Sequence, residues 1–234
     1  MKYYDLNFNL NCEVLKNIFN HVADDRIKYI LSNSMVKVFQ KNELILNEKN
    51  CADDLYILLD GIIHIGYLSA SGRFHTFSYF SEKHVINLLP CIKGYIIDYN
   101  YYAFNQVRVL VIPKKIIFEE LNNNNKLNED FLNIVALRMH RLIAEVKFLH
   151  VANLHQKICK VLLSLSQQYG IRHPLGTEIY LKISQHDLAD LLSSSRQTIN
   201  KEIKKLSDLN IINWQYENII IKDKSYLDGV ILNI

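Results

Sequence analysis

Apolar positions change their spacing along the chain, and each change marks a different kind of element. Val14, Leu15, Ile18 and Phe19, then Ile27, Ile30 and Leu31, recur at helical spacing and predict helices within the first thirty-odd residues. From Met35 to about Pro113 the pattern turns to short β-rich runs: VKVF at 36–39, LIL at 44–46, LYILL at 55–59, IIHIGYL at 62–68, HTFSYF at 75–80 and VRVLVI at 107–112. Short strands separated by polar turns predict a sandwich or barrel-like roll. Gly61, after Asp60, and Gly72, within SASGR, mark two of its hairpin loops.

A polar run, Asn122 to Asn125, then precedes a long helix. Asn128 is placed to cap it, with Glu129 and Asp130 at the positive end of the helix dipole. Leu132, Val135, Met139, Leu142, Val146, Leu149 and Asn153 follow 3-4 spacing over three heptads, which is a coiled-coil seam asking for a partner helix. A long helix packed on the roll is the alternative. Asn153 fits a bend before the next segment.

From Leu154 the pattern restarts, with Ile158, Leu162, Leu163 and Leu165 in a helix ending near Gly170. A turn at 173–176 and a strand from Glu178 to Ile183 lead to Ser184. Ser184 with Asp187 forms a short capping box, and Leu188, Leu191 and Leu192 make an apolar stripe. Ser193, Ser194 and Ser195 interrupt it, because serine hydroxyls compete with helical backbone bonding. A second helix buries Ile199, Ile203 and Leu206 and presents Arg196, Gln197, Asn200, Lys201, Lys204 and Lys205 on its other face. The runs at 211–214 and 219–221 bracket Tyr216, Glu217 and Asn218 as a β-hairpin wing.

That polar face carries the candidate chemistry. Arg pairs bidentately with guanine, and Gln or Asn with adenine, in a groove that admits a helix. Lys204 and Lys205, further along, are placed to meet phosphate. The predicted double-stranded-DNA contacts are therefore Ser195, Arg196, Gln197, Asn200, Lys201 and Lys204, and the predicted dimer contacts are Leu132, Val135, Met139, Leu142, Val146 and Leu149. The net charge of +3 does not itself signal nucleic acid, but residues 196–205 hold four cations against Glu202. Cysteines at 12, 51, 91 and 159 show no paired spacing, which fits reduced thiols better than disulfides or structural zinc. No signal pattern or apolar run of membrane-span length is present, so a cytoplasmic location without membrane partners is expected.

The segment SSSRQTINKEIKKLSDLNII resembles the recognition-helix region of the Crp/Fnr superfamily of bacterial transcription regulators. Ser195, Arg196, Thr198, Ile199, Ile203, Leu206, Ile211 and Ile212 fall on the family pattern. Gln197 stands where an acid is usual, Lys201 where an arginine is usual, and Ser193 where the turn often has glycine. LYILLDG at 55–61 is similar to the opening of the family's ligand-binding roll, with Lys41 to Leu46 resembling the strand before it. The resemblance implies an α+β fold: a cyclic-nucleotide-binding-like β-roll with N-terminal helices at 1–120, a dimerisation helix at 121–153 and a winged helix-turn-helix at 154–234. It implies a homodimer reading an inverted-repeat operator, with RNA polymerase as the partner that activation would require and an effector that the sequence does not identify.

The family's cyclic-nucleotide binders use a cassette of the form Gly-Glu-Leu followed by Arg-Ser. Here Asn87, Leu88 and Leu89 occupy the first place and Ile96, Ile97, Asp98 and Tyr99 the second. A phosphate needs backbone N–H groups and a cation, so control by cyclic AMP is not expected. Cys12 stands apart from any cluster that could hold iron–sulfur. His64, His75, His84 and Cys91 are the haem ligands to weigh, and Tyr95, Tyr99, Tyr101, Tyr102 and Phe104 could line an apolar pocket; ordinary structural roles are favoured for both sets, so no cofactor is expected. Two other classes compete: a small-ligand or haem sensor whose C-terminal module binds protein, and a cupin-like metalloenzyme. The second lacks its His-x-His pair at both His64 and His75, and neither catalytic nor metal-binding residues are assigned.

Overall fold

Strands form where the β-rich runs predict them. The computed structural model describes residues 6–47, 53–69 and 74–232, so Cys51 and the Gly72 turn lie outside the described residues. Helices α1 (Leu6–Ile18) and α2 (Asp24–Ser32) precede β1 (Met35–Phe39), β2 (Leu44–Leu46), β3 (Leu55–Asp60), β4 (Ile63–Leu68) and β5 (Phe74–Phe80). Next come β6 (His84–Val85), α3 (Leu88–Lys93), β7 (Asn100–Ala103), β8 (Val107–Ile112), α4 (Lys114–Asn123) and α5 (Asn125–Val151). The remainder is α6 (Leu154–Tyr169), β9 (Gly170–His173), β10 (Gly176–Ile179), α7 (Gln185–Leu191), α8 (Arg196–Asp208), β11 (Ile212–Gln215), β12 (Asn218–Ile221) and α9 (Lys224–Leu232). The chain divides into two compact units, with the break inside α5 between Met139 and His140.

In the first unit two sheets, ordered β1-β8-β3-β6 and β2-β7-β4-β5, form the roll. The continuous apolar runs at 55–59 and 107–112 belong to β3 and β8, the adjacent inner strands of the first sheet, which are largely buried on both faces, whereas its edge strand β1 is mostly exposed. Leu58, Val107, Val109 and Val111 face Ile63, Ile65, Tyr101 and Ala103 of the second sheet. Leu55, Ile57, Leu59, Leu110 and Ile112 face the helices, where Leu15, Phe19, Ile27, Ile30, Ile117, Leu127 and Phe131 pack. Both predicted N-terminal stripes lie in this core. Gly61 has φ 88°, and a Cβ there would strike the Gln106 carbonyl oxygen, so the hairpin after β3 needs glycine.

The start of the long helix differs from the expectation. Asn128 does not cap it: α5 begins at Asn125, and the Asn128 amide donates to the Leu121 carbonyl of α4 at 2.7 Å. Asp130 is 2% exposed and accepts the His21 backbone N–H at 3.1 Å, with the His21 ring Nδ1 at 2.5 Å. A helix-start carboxylate has thus become a clamp on the α1–α2 loop. Asn153 lies past the end of α5 at Val151, in the bend expected there. Its side chain caps α6, accepting from the Gln156 N–H at 3.0 Å while Gln156 accepts from the Asn153 N–H at 2.9 Å.

In the second unit a sheet ordered β11-β12-β10-β9 carries the wing. The predicted strand at 178–183 is displaced: pairing covers Gly176–Ile179, and β9 at 170–173, which the apolar pattern does not announce, pairs with it. Ile158, Leu162, Leu165, Ile179, Leu188, Ile199, Ile203, Leu206, Ile212, Ile219 and Leu227 are buried, and α9 packs on α6.

Candidate nucleic-acid interface

Each serine in the turn between α7 and α8 has a separate task. Ser193 takes the left-handed conformation, φ 49°, just past the end of α7. Its N–H donates to the Asp190 carbonyl at 3.1 Å, and the Ser194 N–H to the Ala189 carbonyl at 2.8 Å, the bond pair of a Schellman stop. Ser195 then caps α8, its hydroxyl accepting from the Thr198 N–H at 3.1 Å and lying 2.7 Å from the Thr198 hydroxyl. The α8 helix stops in the same way: Asn210 has φ 58°, and the Ile211 N–H returns to the Leu206 carbonyl at 2.9 Å. Ser184 and Asp187 form the reciprocal capping box at the start of α7. These local bonds fix the two helices to each other with a turn of four residues, 192–195.

Ile199, Ile203 and Leu206 face the core, while Arg196, Gln197, Asn200, Lys201, Lys204 and Lys205 are exposed. The predicted residues do not all share one environment. Arg196 and Asn200, one turn apart, line a groove of about 880 Å³ together with Gln185 and His186 of α7 and Tyr216 and Glu217 of the wing. The Asn200 amide donates to the Gln185 side-chain oxygen at 2.8 Å. Gln197, Lys201 and Lys204 lie on the neighbouring exposed surface of α8. The Ser195 hydroxyl is occupied with the cap. Lys205 is paired with Glu202 at 2.6 Å rather than held out toward a phosphate.

Gln185, His186 and Tyr216 come from neighbouring elements, so the pattern along α8 does not by itself point to them. Tyr216 stands in the two-residue loop joining β11 to β12, 95% exposed and at φ 55°, a conformation that favours glycine. The Trp214 indole N–H donates to its carbonyl at 2.7 Å and holds the loop in place.

In the roll, the residues aligned with the phosphate cassette serve packing. The Asn87 side chain is buried, accepting the Tyr56 N–H at 2.9 Å and donating to the Asp54 carbonyl at 2.7 Å, and Leu88 is buried beside it. The His64 ring packs among Phe74, Tyr79, Tyr102 and Phe104, with centroid distances of 5.3 to 6.3 Å. Tyr102 and Phe104 of the predicted aromatic stretch thus belong to this cluster, whereas the Tyr101 ring is core and its hydroxyl approaches the Ile86 carbonyl at 3.3 Å. Burial pushes the thiols of Cys91 and Cys159 up to about 11. Among the described residues no three His, Cys, Asp or Glu side chains gather as metal ligands would, and no helix is long and apolar enough to cross a membrane.

A β-roll connected by a long helix to a winged helix-turn-helix defines the class: a helix-turn-helix regulator with a cyclic-nucleotide-binding-like domain. Residues 36–124 match the cyclic nucleotide-binding domain family, and residues 156–229 match the Crp-like helix-turn-helix domain. The chain is 22% identical to the anaerobic regulatory protein of Bacillus subtilis, over 88% of this chain and 87% of that protein. It is 23% identical to the global nitrogen regulator of a Nostoc species, over 89% and 92%. Among solved structures, a CRP/FNR-family transcriptional regulator from Thermus thermophilus superposes with a TM-score of 0.72 at 19% identity, covering 85% of this chain and 98% of that one. A c-di-GMP-responsive global regulator from Xanthomonas campestris does so with a TM-score of 0.70 at 17% identity, covering 85% and 99%. The chain belongs to the Crp/Fnr superfamily of transcription regulators, with a helix-turn-helix DNA-binding domain. Its relatives are regulators rather than enzymes, and the metalloenzyme alternative falls with that.

Proposed function

We propose that this chain is a homodimeric, sequence-specific regulator that reads an inverted-repeat operator with α8 and is not controlled by cyclic AMP. On this reading residues 1–120 sense, 121–153 dimerise and 154–234 bind DNA, in the cytoplasm. The observation that carries it is the two-sided α8. Its apolar side is buried, while Arg196, Gln197, Asn200, Lys201 and Lys204 stand exposed beside the wing.

Dimerisation is supported by the apolar stripe along α5. Leu132, Val135, Met139, Leu142, Val146 and Leu149 are 38 to 69% exposed in the single chain, at the spacing of a seam. A second copy of α5 would cover them and set two α8 helices on one duplex. Independence from cyclic AMP is supported by Asn87 and Leu88, whose side chains are committed to the roll's own packing where the family's cassette has glycine and an acid.

Selection of bound duplexes from a random pool by the purified full chain tests the reading. An inverted repeat with half-sites about one helical turn apart is expected. Binding that shows neither sequence preference nor salt dependence overturns it. Calorimetry with cyclic AMP should show no micromolar complex, and a tight one overturns that part.

A further inference from the structure

The hydrogen bond between Asn200 and Gln185 joins the exposed face of α8 to the first turn of α7, and it consumes one donor of that face. A free asparagine amide can turn over, exchanging its carbonyl and NH2, and would then present either order of acceptor and donor. Here Nδ2 donates to Gln185 Oε1 at 2.8 Å, which sets the orientation. One N–H is spent on Gln185, while the second N–H and the Oδ1 acceptor remain. Those are the two groups that meet adenine in the major groove, Oδ1 accepting from N6 and Nδ2 donating to N7. Arg196 lines the same groove one turn earlier, with a fork suited to guanine. The backbone of Gln185 is fixed, since the residue opens α7 directly after the Ser184–Asp187 capping box.

We propose that Gln185 is a positioning residue for base readout: it locks the Asn200 amide in the orientation that reads adenine. The proposal rests on the DNA-reading function above and adds a specificity determinant from outside the recognition helix. Gln185 need touch no base. Its effect is confined to the base pair that Asn200 reads, because the bond it makes ends on Asn200.

The test uses the full chain, its selected operator, operators with each half-site base pair replaced in turn, and random DNA. Asn200→Ala should relax preference at one A·T pair by about tenfold, on the order of 1.4 kcal/mol. Gln185→Met, which keeps the shape and loses the acceptor, should relax the same pair by a similar factor and leave the salt slope unchanged. The double variant should lose little more, because the two residues act as one unit. Gln185→Glu keeps an acceptor and should retain the A·T preference, although its charge lowers affinity for every sequence. Circular dichroism should show all four variants folded.

Equal weakening of all sequences by Gln185→Met, with a smaller salt slope, would make Gln185 a phosphate contact and overturn the proposal. So would additive losses in the double variant, or relaxation by Asn200→Ala at a pair other than A·T. A wild-type chain without sequence preference would instead defeat the parent reading, and this one with it.

Discussion

The His155 ring Nδ1 lies 3.0 Å from the Glu202 carboxylate, so the first turn of α6 grips α8 on the side opposite Asn200. Lys205 holds the other carboxylate oxygen at 2.6 Å. A histidine, a lysine and a partly buried acid thus fix the roll of the helix about its own axis, which decides which side chains face the groove.

This arrangement predicts a pH effect with a definite sign. The Lys205 ammonium, aided by His155 and opposed by burial, holds the Glu202 carboxyl below its ordinary value of 4.5. A group with a depressed folded value contributes stability that is complete above its unfolded value and lost as pH falls through the folded one. Glu202→Gln should therefore destabilise the second unit by about 1 kcal/mol at neutral pH, with the difference from wild type shrinking below about pH 4.5. Thermal unfolding followed by calorimetry between pH 3 and 7 checks it, at roughly half-unit steps. A constant difference across that range would contradict it.

The α7–α8 turn supplies a second prediction. Ser193 occupies a left-handed position, φ 49°, that costs a side-chain-bearing residue about 1 kcal/mol. Ser193→Gly relieves this, and the added freedom of glycine in the unfolded chain offsets part of the gain. The expected net effect is a stabilisation of a few tenths of a kcal/mol, up to ~1. Ser195→Ala removes the α8 cap instead and should cost about 1 kcal/mol. Denaturant midpoints that moved in the same direction for both variants would refute this division of labour.

The same serines show how far the sequence carries. A run of serines between two apolar stripes is legible as a break, and the caps at Ser184 and Ser195 follow from their place before each stripe. Which serine turns left-handed is not, because that choice is made by bonds back to Asp190 and Ala189. The strand runs at 44–46 and 107–112 are read to the residue because apolar side chains fill both faces of buried strands or bracket tight turns. β9 escapes because Gly170, Ile171, Arg172 and His173 are mostly exposed and pair only through backbone. Asp130 misleads for a related reason: an acid near a helix start has a local explanation, and only the distant His21 loop turns it into a buried partner. In the candidate interface α8 was legible as a face, whereas Gln185 and Tyr216 become neighbours of that face only once the chain has folded.

The exposed stripe on α5 makes dimerisation separable from folding. Val135 and Leu142 are 38% and 58% exposed in the single chain, so charges there meet solvent in a monomer. In a paired seam the same charges would be buried against like charges. Val135→Glu with Leu142→Glu should therefore yield a folded monomer with a near-native melting transition. Sedimentation should find the wild type dimeric at micromolar concentration. A wild-type monomer under those conditions would sink the seam assignment.

The last prediction separates two kinds of contact on α8. Arg196 is the first helical residue and lines the groove with Asn200, where its fork matches guanine O6 and N7. Arg196→Ala should cost about 1–3 kcal/mol on the selected operator and relax preference at one base pair per half-site. Lys204 lies two turns further on and on the exposed side, and on the proposed reading it meets only the phosphate backbone. Lys204→Ala should weaken all sequences about equally and lower the salt slope by roughly one for each contact removed. Lys205, already neutralised by Glu202, should contribute less than Lys204 to that slope. Binding curves on matched operator variants at several salt concentrations resolve the three residues. If Arg196→Ala weakens specific and random DNA by the same factor, Arg196 grips phosphate and the assignment of base readout to it is wrong.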